Sequence, residues 1–369
     1  MRARAAVLTQ FGAPLTLSEI EVAAPRQGEV MVAIAASGIC GSDLKALDGG
    51  NPRVQDLPFI LGHESAGVVT EVGPGVASVC PGDHVVIAMN RPCGRCRDCV
   101  RGQAYLCSDP ARLSAIMGLM ADGTTRLTIA GESARPMIGI GSFAEYVVVA
   151  EAACVRVPAD APLDLLALTA CAVVTGVGAV LNTACVEIGS SVLVVGCGGV
   201  GLNVIQGARL AGATTIIAAD VVAAKLELAR RFGATHPVLA GNLRDQVDAV
   251  ARGGVDYAFD VTGNPCAFTA AFEATRPGGT TVLVGSPPPG LTIGIAPQTL
   301  LGSRRLMGTQ GGDAVPARDL PLLADLYRRG RLNLEDLVSE RVPLDRLNEA
   351  IGHVRAGSVA RSLIVFGQR

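Results

Sequence analysis

One short stretch constrains the fold more than any other: a glycine-rich turn between a predicted strand and a predicted helix. Residues 196–201 have the spacing G-x-G-x-x-G, follow the apolar run SVLVV and precede a predicted helix. With 45 glycines in the chain the match alone is weak, but this context predicts a turn that cradles a dinucleotide pyrophosphate at a helix N-terminus. The candidate contacts are Gly196, Gly198, Gly199, Val200 and Gly201.

An acidic residue follows where such a unit meets a ribose. Asp220 closes the next predicted strand, 19 residues after Gly201, and its carboxylate can accept hydrogen bonds from a ribose diol. A carboxylate there repels a 2′-phosphate, so NAD is favoured over NADP, although Lys225 could weaken that preference. The structural alternative is that Asp220 caps a helix.

The pattern of elements changes along the chain. From residue 1 to about 150 the segments are short, β-rich and separated by Gly and Pro. From about residue 190 strands and helices alternate, which predicts a parallel sheet with crossover helices. We therefore expect an α/β protein with a doubly wound parallel sheet and a separate β-rich domain.

Four cysteines lie close together, in the run C-x2-C-x2-C-x7-C formed by Cys93, Cys96, Cys99 and Cys107. Four thiolates make a closed tetrahedral ligand set, so the run predicts a structural zinc site without a position for a substrate. The alternatives are disulfides or reactive thiols. We favour zinc because the N-terminus does not resemble a signal peptide, and eleven cysteines without secretion indicate a reducing compartment.

Length and composition set further limits. A chain of 369 residues with 49% hydrophobic residues and a net charge of −2 is expected to form two domains with sizeable cores. Together with the reducing compartment that the cysteines indicate, this predicts a cytoplasmic protein. It has no basic block or aromatic ladder, so no nucleic-acid partner is expected. The apolar stretch 163–181 contains Asp164, Thr169 and Thr175, which favours a buried element over a membrane span.

Three further metal-ligand residues are widely separated. They are Cys40 in GICGSD, His63 in GHE, and Cys171, four residues before Thr175. Two thiolates and an imidazole leave one position of a tetrahedral zinc ion open, as in a catalytic site. Spacing alone does not join them, and each cysteine could be an ordinary buried residue.

A family resemblance joins these motifs. The motifs of this chain occur in the order found in the zinc-containing medium-chain alcohol dehydrogenases. They are GICGSD, GHE, the four-cysteine run, DGTTRLT at 122–128, GSFAEY at 141–146, Cys171 with TGVGA, and the glycine-rich turn. DGTTRLT and GSFAEY are most similar to the animal and plant alcohol dehydrogenases and the thiol-dependent formaldehyde dehydrogenases. The resemblance implies a GroES-like β-rich domain of residues 1–172 and 314–369 and a Rossmann domain of residues 173–313. It also implies a homodimer, with a tetramer as the alternative.

The resemblance implies a catalytic zinc held by Cys40, His63 and Cys171. With the four-cysteine site, each chain would then carry two Zn²⁺ ions. Ser42 would pass the substrate proton outward, and Asp43 would hold His63 by hydrogen bonding to the side of the ring away from the metal.

Other positions follow or depart from the family pattern. Glu64 would lie behind the metal, Thr175 would contact the nicotinamide and Arg361 would reach the cofactor pyrophosphate, with simple ion pairing as the alternative for Glu64 and Arg361. Gly41 stands where many members have a His or Arg that grips the cofactor phosphate, so looser cofactor binding is expected. Lys45 stands where the proton relay usually ends in His, so either burial makes it a base or water takes the proton directly.

The substrate pocket of the family would be lined here by Met89, Met137 and Ile138. Flexible apolar side chains favour a medium-chain, terpenoid or aryl alcohol, which would be converted to its aldehyde or ketone by hydride transfer to NAD. One alternative is a thiol-adduct formaldehyde dehydrogenase, because Arg112 lies near the region where that branch holds charged recognition groups. The other is a non-catalytic NAD-sensing protein on the same scaffold.

Overall fold

The computed structural model describes residues 1–367. They form two compact units: the β-rich unit takes Met1–Cys171 and the segment from Val315 onward, and the parallel-sheet unit takes Ala172–Ala314. Each unit is described by itself.

The elements are numbered in chain order. The strands of residues 1–367 are β1 (Arg2–Leu8), β2 (Thr16–Val22), β3 (Glu29–Gly38), β4 (Phe59–Ile60), β5 (Glu64–Val72), β6 (His84–Ile87), β7 (Leu127–Ile129), β8 (Glu132–Pro136), β9 (Tyr146–Ala150), β10 (Cys154–Arg156), β11 (Ser191–Val195), β12 (Thr215–Asp220), β13 (His236–Leu239), β14 (Val255–Asp260), β15 (Thr275–Leu283), β16 (Arg305–Gly308), β17 (Val338–Val342) and β18 (Arg361–Val365). The α-helices are α1 (Gly41–Leu47), α2 (Arg97–Val100), α3 (Pro110–Ile116), α4 (Leu163–Ala167), α5 (Ala172–Gly178), α6 (Gly199–Leu210), α7 (Ala223–Phe232), α8 (Leu243–Val250), α9 (Pro265–Glu273), α10 (Pro316–Arg328) and α11 (Leu347–Arg355).

The β-rich unit contains a closed barrel and a larger sheet. The barrel runs β1-β2-β7-β8-β4, and the sheet runs β10-β6-β5-β3-β18-β17 with β9 paired to β3. Strands β3 and β5 are antiparallel, with Gly38 opposite Glu64. The residues that follow β3 and those that precede β5 therefore lie at the same edge of the sheet, and these segments contain Cys40 and His63.

The parallel-sheet unit is built on six parallel strands in the order β13-β12-β11-β14-β15-β16. The strand order reverses between β11 and β14, and in open α/β sheets ligands bind beside the carboxyl ends of strands at such a point. The glycine-rich turn follows β11 there. At Gly201 an added Cβ would lie 1.8 Å from the carbonyl oxygen of Gly196, so close packing of helix on turn requires glycine.

These two architectures confirm the predicted fold class, a doubly wound parallel sheet with a β-rich domain. Within residues 1–367, no single helix has the length and apolar character needed to cross a membrane. One bent pair, Leu163–Ala170 with Ala172–Ala184, meets that test only when its two helices are counted together.

Candidate active site and metal centres

Three buried metal-ligand side chains meet in the β-rich unit. Cys40 is the N-cap of α1, His63 immediately precedes β5, and Cys171 follows the short helical turn Leu168–Ala170. Their ligand atoms all lie within 4.8 Å of one another, and the two sulfur atoms are 4.0 Å apart. Cys40, His63 and Cys171 are 9%, 1% and 8% exposed, so the site lies inside the protein.

This donor set fits zinc. Two thiolates bound to tetrahedral zinc at about 2.3 Å lie roughly 3.8 Å apart, close to the sulfur separation seen here. The sulfur atoms are too far apart for a disulfide, and all eleven cysteines of the chain are unpaired. Three protein ligands leave the fourth tetrahedral position for an oxygen of water or substrate.

One carboxylate orients this ligand set. Oδ1 of Asp43 lies 3.1 Å from Nδ1 of His63 and accepts a hydrogen bond from the backbone N–H of Gly62, while Oδ2 accepts one from the backbone N–H of Cys40 at 2.9 Å. Burial lowers the pKa of His63, but Asp43 and, to a smaller extent, Cys40 raise it by a larger amount, so the net pKa lies well above its ordinary value. With Nδ1 held by Asp43, Nε2 of His63 is left to face the metal position.

A buried ion pair lies next to the ligands. Nε of Arg361 is 3.4 Å from Oε2 of Glu64, and these side chains are almost completely buried. Burial lowers the pKa of Arg361, but the charges of Glu64 and Cys40 raise it by a larger amount, so the net pKa lies above its ordinary value. Gly38 leaves space for the Glu64 carboxylate, because a Cβ added at Gly38 would lie 2.4 Å from Oε2 of Glu64. The structure thus contains the pair offered as the alternative for both residues.

The proton-relay positions lie on helix α1. The hydroxyl oxygen of Ser42 lies 3.2 Å from Nε2 of His63, beside the metal position, and its side chain is half-buried. Lys45 is exposed, so it lacks the burial that one of the two expectations for this position required. An added Cβ at Gly41 would meet no atom within 4 Å, so this departure from the family pattern does not come from crowding.

The four-cysteine lobe forms a second, separate ligand set. The sulfur atoms of Cys93, Cys96, Cys99 and Cys107 all lie within 4.8 Å of one another. Backbone N–H groups of Cys93 and Cys96 point at the sulfurs of Cys107 and Cys93, at 3.4 and 3.3 Å. The backbone of Cys99 is the largest contribution that lowers the pKa of Cys96, to about 6. Such donors stabilise thiolates, the form that binds zinc.

Arg112 supports this lobe from inside. It is 8% exposed and donates to the carbonyl oxygens of Cys107 and Tyr105, at 2.8 and 3.0 Å, and to the side chain of Asn90 at 3.4 Å. A guanidinium engaged in this way is neither solvated nor free to bind a substrate carboxylate.

The expected pocket residues differ in burial. Met89 and Ile138 are half-buried, whereas Met137 is 1% exposed and belongs to the main core cluster. Ile138 packs against that same cluster but keeps part of its side chain exposed. Nearby, Arg91 is 6% exposed and donates to the carbonyl oxygen of Ile138, a contact that no sequence signal indicated.

The parallel-sheet unit brings Asp220 to the glycine-rich turn. Oδ2 of Asp220 accepts a hydrogen bond from the backbone N–H of Cys197 at 2.8 Å, and Oδ1 accepts one from Val222 at 2.9 Å. Helix α7 has Val222 as its N-cap, so Asp220 is not the cap of that helix. Lys225 lies in the first turn of α7, and Thr175 lies half-buried in α5.

Comparison with known proteins decides the family. The model described as "Alcohol dehydrogenase GroES-like domain" matches residues 26–159, and the one described as "Zinc-binding dehydrogenase" matches residues 199–328. The chain is 40% identical over 377 residues to S-(hydroxymethyl)glutathione dehydrogenase from Paracoccus denitrificans, covering 99% of this chain and 100% of the relative. The chain belongs to the zinc-containing medium-chain alcohol dehydrogenases.

Other members of the family are similarly close. An alcohol dehydrogenase class-3 from Cereibacter sphaeroides is 40% identical over 380 residues, covering 99% of this chain and 100% of the relative. Among solved structures, an alcohol dehydrogenase zinc-binding domain protein from Burkholderia ambifaria has a TM-score of 0.94 at 36% identity. Benzyl alcohol dehydrogenase from Acinetobacter calcoaceticus has a TM-score of 0.93 at 32% identity. Each of these two matches covers 100% of this chain and 100% of the solved chain. The family predicted from the motif order is thus confirmed, and the chain is an oxidoreductase for which zinc is the fitting metal.

Proposed function

We propose that this chain is an NAD-dependent zinc dehydrogenase that interconverts medium-sized apolar alcohols, aryl alcohols foremost, and their aldehydes or ketones. The observation that supports this most is the buried set of Cys40, His63 and Cys171, with ligand atoms within 4.8 Å of one another and one tetrahedral position left for substrate oxygen. A protein that only sensed NAD would not need this open ligand set.

The residues around the metal position have distinct tasks. Zinc, when bound, acts as a Lewis acid that lowers the pKa of an alcohol hydroxyl. Asp43 keeps the His63 ring and the Cys40 backbone in place. In this proposal Ser42, whose hydroxyl oxygen lies 3.2 Å from Nε2 of His63, takes the hydroxyl proton and passes its own proton to water.

The cofactor assignment rests on the parallel-sheet unit. Its glycine-rich turn leaves room for a pyrophosphate, since an added Cβ at Gly198 would meet no atom within 4 Å. The Asp220 carboxylate lies at the carboxyl end of β12 and keeps acceptor capacity for a ribose diol in addition to its two backbone donors. A negative charge there favours NAD over NADP.

The apolar substrate class is supported by the half-buried Met89 and Ile138. Thioether and aliphatic side chains suit an apolar ring or chain and offer no partner for a charged group. One similar structure, at 32% identity, is a benzyl alcohol dehydrogenase, and this chain covers it completely.

A second candidate is oxidation of a thiol adduct of formaldehyde. It is favoured by the 40% identity to S-(hydroxymethyl)glutathione dehydrogenase from Paracoccus denitrificans. Arg112 argues against it, because this arginine is buried and already donates to Cys107, Tyr105 and Asn90.

One set of turnover measurements separates the candidates. NADH formation would be followed with benzyl alcohol, geraniol, hexanol and ethanol, and with formaldehyde in the presence and absence of glutathione. The proposal predicts highest kcat/KM for the bulky apolar alcohols and loss of turnover in Cys40→Ser, which should also lose one zinc ion. Turnover that requires glutathione would establish the second candidate, and no turnover with a full zinc content would favour NAD sensing.

We also propose a homodimer formed along strand β16 at the edge of the parallel sheet. All four residues of β16 are exposed, and Leu301, just before it, is 85% exposed. An exposed apolar sheet edge is a ready surface for pairing with a second copy. Light scattering on the wild type and on Leu306→Lys tests this, because the charge should shift the dimer toward monomer.

A further inference from the structure

The turn from Met137 to Ile140 holds a β-branched residue in an unfavourable backbone conformation. Ile138 has φ 53° and ψ 29°, in the left-handed region that β-branched residues rarely adopt. Such a conformation persists only where surrounding contacts hold it, and these conformations cluster at functional sites. The contacts that hold Ile138 therefore matter for whatever its side chain lines.

Both ends of this turn are fixed. The backbone N–H groups of Ile140 and Gly141 donate to the carbonyl oxygen of Met137, at 2.9 and 3.3 Å. Met137 and Ile140 are each 1% exposed, whereas the side chain of Ile138 between them is half-buried. The turn thus presents Ile138 from an anchored base.

One side chain from a distant segment reaches the middle of the turn. A terminal nitrogen of Arg91 donates to the carbonyl oxygen of Ile138. Arg91 is 6% exposed, and burial lowers its pKa to about 10. Within the described residues no carboxylate pairs with it, and its Nε lacks a hydrogen-bond partner. Burying a charge with so few partners is costly, so the position needs a reason to be arginine.

Gly139 makes room for this guanidinium. An added Cβ at Gly139 would lie 2.8 Å from a terminal nitrogen of Arg91 and 3.0 Å from the carbonyl oxygen of Ala115 in α3. Arg91 therefore lies where the turn, helix α3 and the segment before the four-cysteine lobe come together. A shorter donor on the same backbone would not extend as far.

We propose that Arg91 is a positioning residue for substrate selection, which holds the carbonyl of Ile138 and so keeps the Ile138 side chain in place as a wall of the substrate pocket. This inference rests on the proposed alcohol dehydrogenase function and on the expected place of Ile138 in the pocket. Without the guanidinium the turn relaxes and the wall moves. Substrates that fill the pocket lose contact with the wall, while small alcohols and the reacting groups are unaffected.

The first test compares Arg91→Met with Arg91→Lys. Arg91→Met keeps the length of the side chain but removes its donors, so KM for benzyl alcohol and geraniol should rise about tenfold, as expected for loss of a hydrogen bond from a charged group, while kcat and the KM for ethanol stay close to wild type. Arg91→Lys keeps one charged donor and should restore part of the loss. The matched control is Arg95→Met, which changes a nearby arginine inside the four-cysteine lobe whose side chain is 86% exposed and should leave every parameter unchanged.

A second readout does not depend on activity. Amide hydrogen exchange of Ile140 and Gly141 should be faster in Arg91→Met than in wild type and Arg95→Met, because their hydrogen bonds to Met137 close the turn. Unchanged exchange, or an equal rise of KM for ethanol and geraniol, would overturn the inference. Loss of zinc in Arg91→Met would also overturn it, since Arg91 would then act on the metal lobe. If the wild type oxidised no alcohol, the proposed function would fail, and with it the substrate role, while exchange would still report whether Arg91 holds the turn.

Discussion

Oδ1 of Asp43 lies 3.1 Å from Nδ1 of His63, and the two side chains are 2% and 1% exposed. The same carboxylate accepts the backbone N–H of Cys40 through its other oxygen. One buried anion therefore sets the orientation of an imidazole ligand and the backbone of a thiolate ligand at once. Two ligands separated by 23 positions in sequence depend on a single side chain.

Asp43→Asn should weaken zinc binding at this site. An amide cannot supply the negative charge that raises the basicity of His63. Loss of such a partner should lower the zinc affinity by about 10–100-fold. Competition with a chromogenic chelator measures the affinity, and thermal unfolding checks the fold. Asp48→Asn, which changes an exposed carboxylate just after the same helix, should leave the affinity unchanged; an equal loss in both variants would contradict the assigned role.

Cys99→Ser should remove the metal from the four-cysteine lobe and leave the other site loaded. Residues 1–367 contain two metal-ligand sets, so metal content should fall by one ion per chain. The melting temperature should fall by roughly several degrees because metal binding stabilises the folded lobe. Mass spectrometry and calorimetry measure these changes. Cys266→Ser alters an exposed, unpaired thiol and should change neither; a full zinc content in Cys99→Ser would show that the lobe binds none.

Asp220→Asn should weaken NAD binding and move the preference toward NADP. The amide cannot accept a ribose hydrogen bond as strongly and no longer repels a 2′-phosphate, so the Kd for NAD should rise about tenfold. Titration with both cofactors measures the ratio. Asp245→Asn, in the exposed first turn of α8, is the control. An unchanged NAD to NADP ratio in Asp220→Asn would mean that Asp220 supports only the turn.

The stability of the parallel-sheet unit should depend on the charge of Asp256. Burial raises the pKa of this carboxyl, but hydrogen bonds from Ser191 and the nearby Arg276 lower it by a larger amount. The net pKa therefore lies below its ordinary value of 3.8. A lowered pKa stabilises the folded state above about pH 5, and this stabilisation is lost as the pH falls below about 4.

Urea unfolding of wild type and Asp256→Asn tests this pH dependence. The wild type should be more stable by about 1 kcal/mol at neutral pH, a modest value because Arg276 is half exposed and its charge is screened. The difference should shrink between about pH 5 and pH 3. A difference that stays constant over this range would show that the hydrogen-bond geometry matters and the charge does not.

The two metal sites differ in how far the sequence reveals them. The four cysteines of the lobe lie within residues 93–107, and turns at that spacing bring ligands together whatever the rest of the chain does. Cys40 and Cys171 are 131 positions apart, and only the family resemblance joined them. In the structure, the antiparallel pairing of β3 with β5 places the residues that carry Cys40 and His63 at one edge.

Single arginines were the least accessible to sequence reasoning. Arg112 suggested a recognition group or a solvated side chain, and the structure shows it bound to carbonyl oxygens of its own lobe. Arg91 gave no signal at all, because an isolated arginine between Asn90 and Pro92 has no periodicity or motif. Its contact with Ile138 spans 47 positions and depends on a left-handed turn that the side-chain pattern does not encode.

The sequence by itself determined the fold class, the family, the four-cysteine ligand set and the glycine-rich turn. These depend on short-range spacing and on the alternation of strands and helices, which local chain geometry converts directly into structure. Only the tertiary structure decided that Asp43 serves both His63 and Cys40, that Lys45 is exposed, and that Arg112 and Arg91 are buried. These features depend on strand register and side-chain packing between distant segments, where a shift of one residue would exchange a buried partner for solvent.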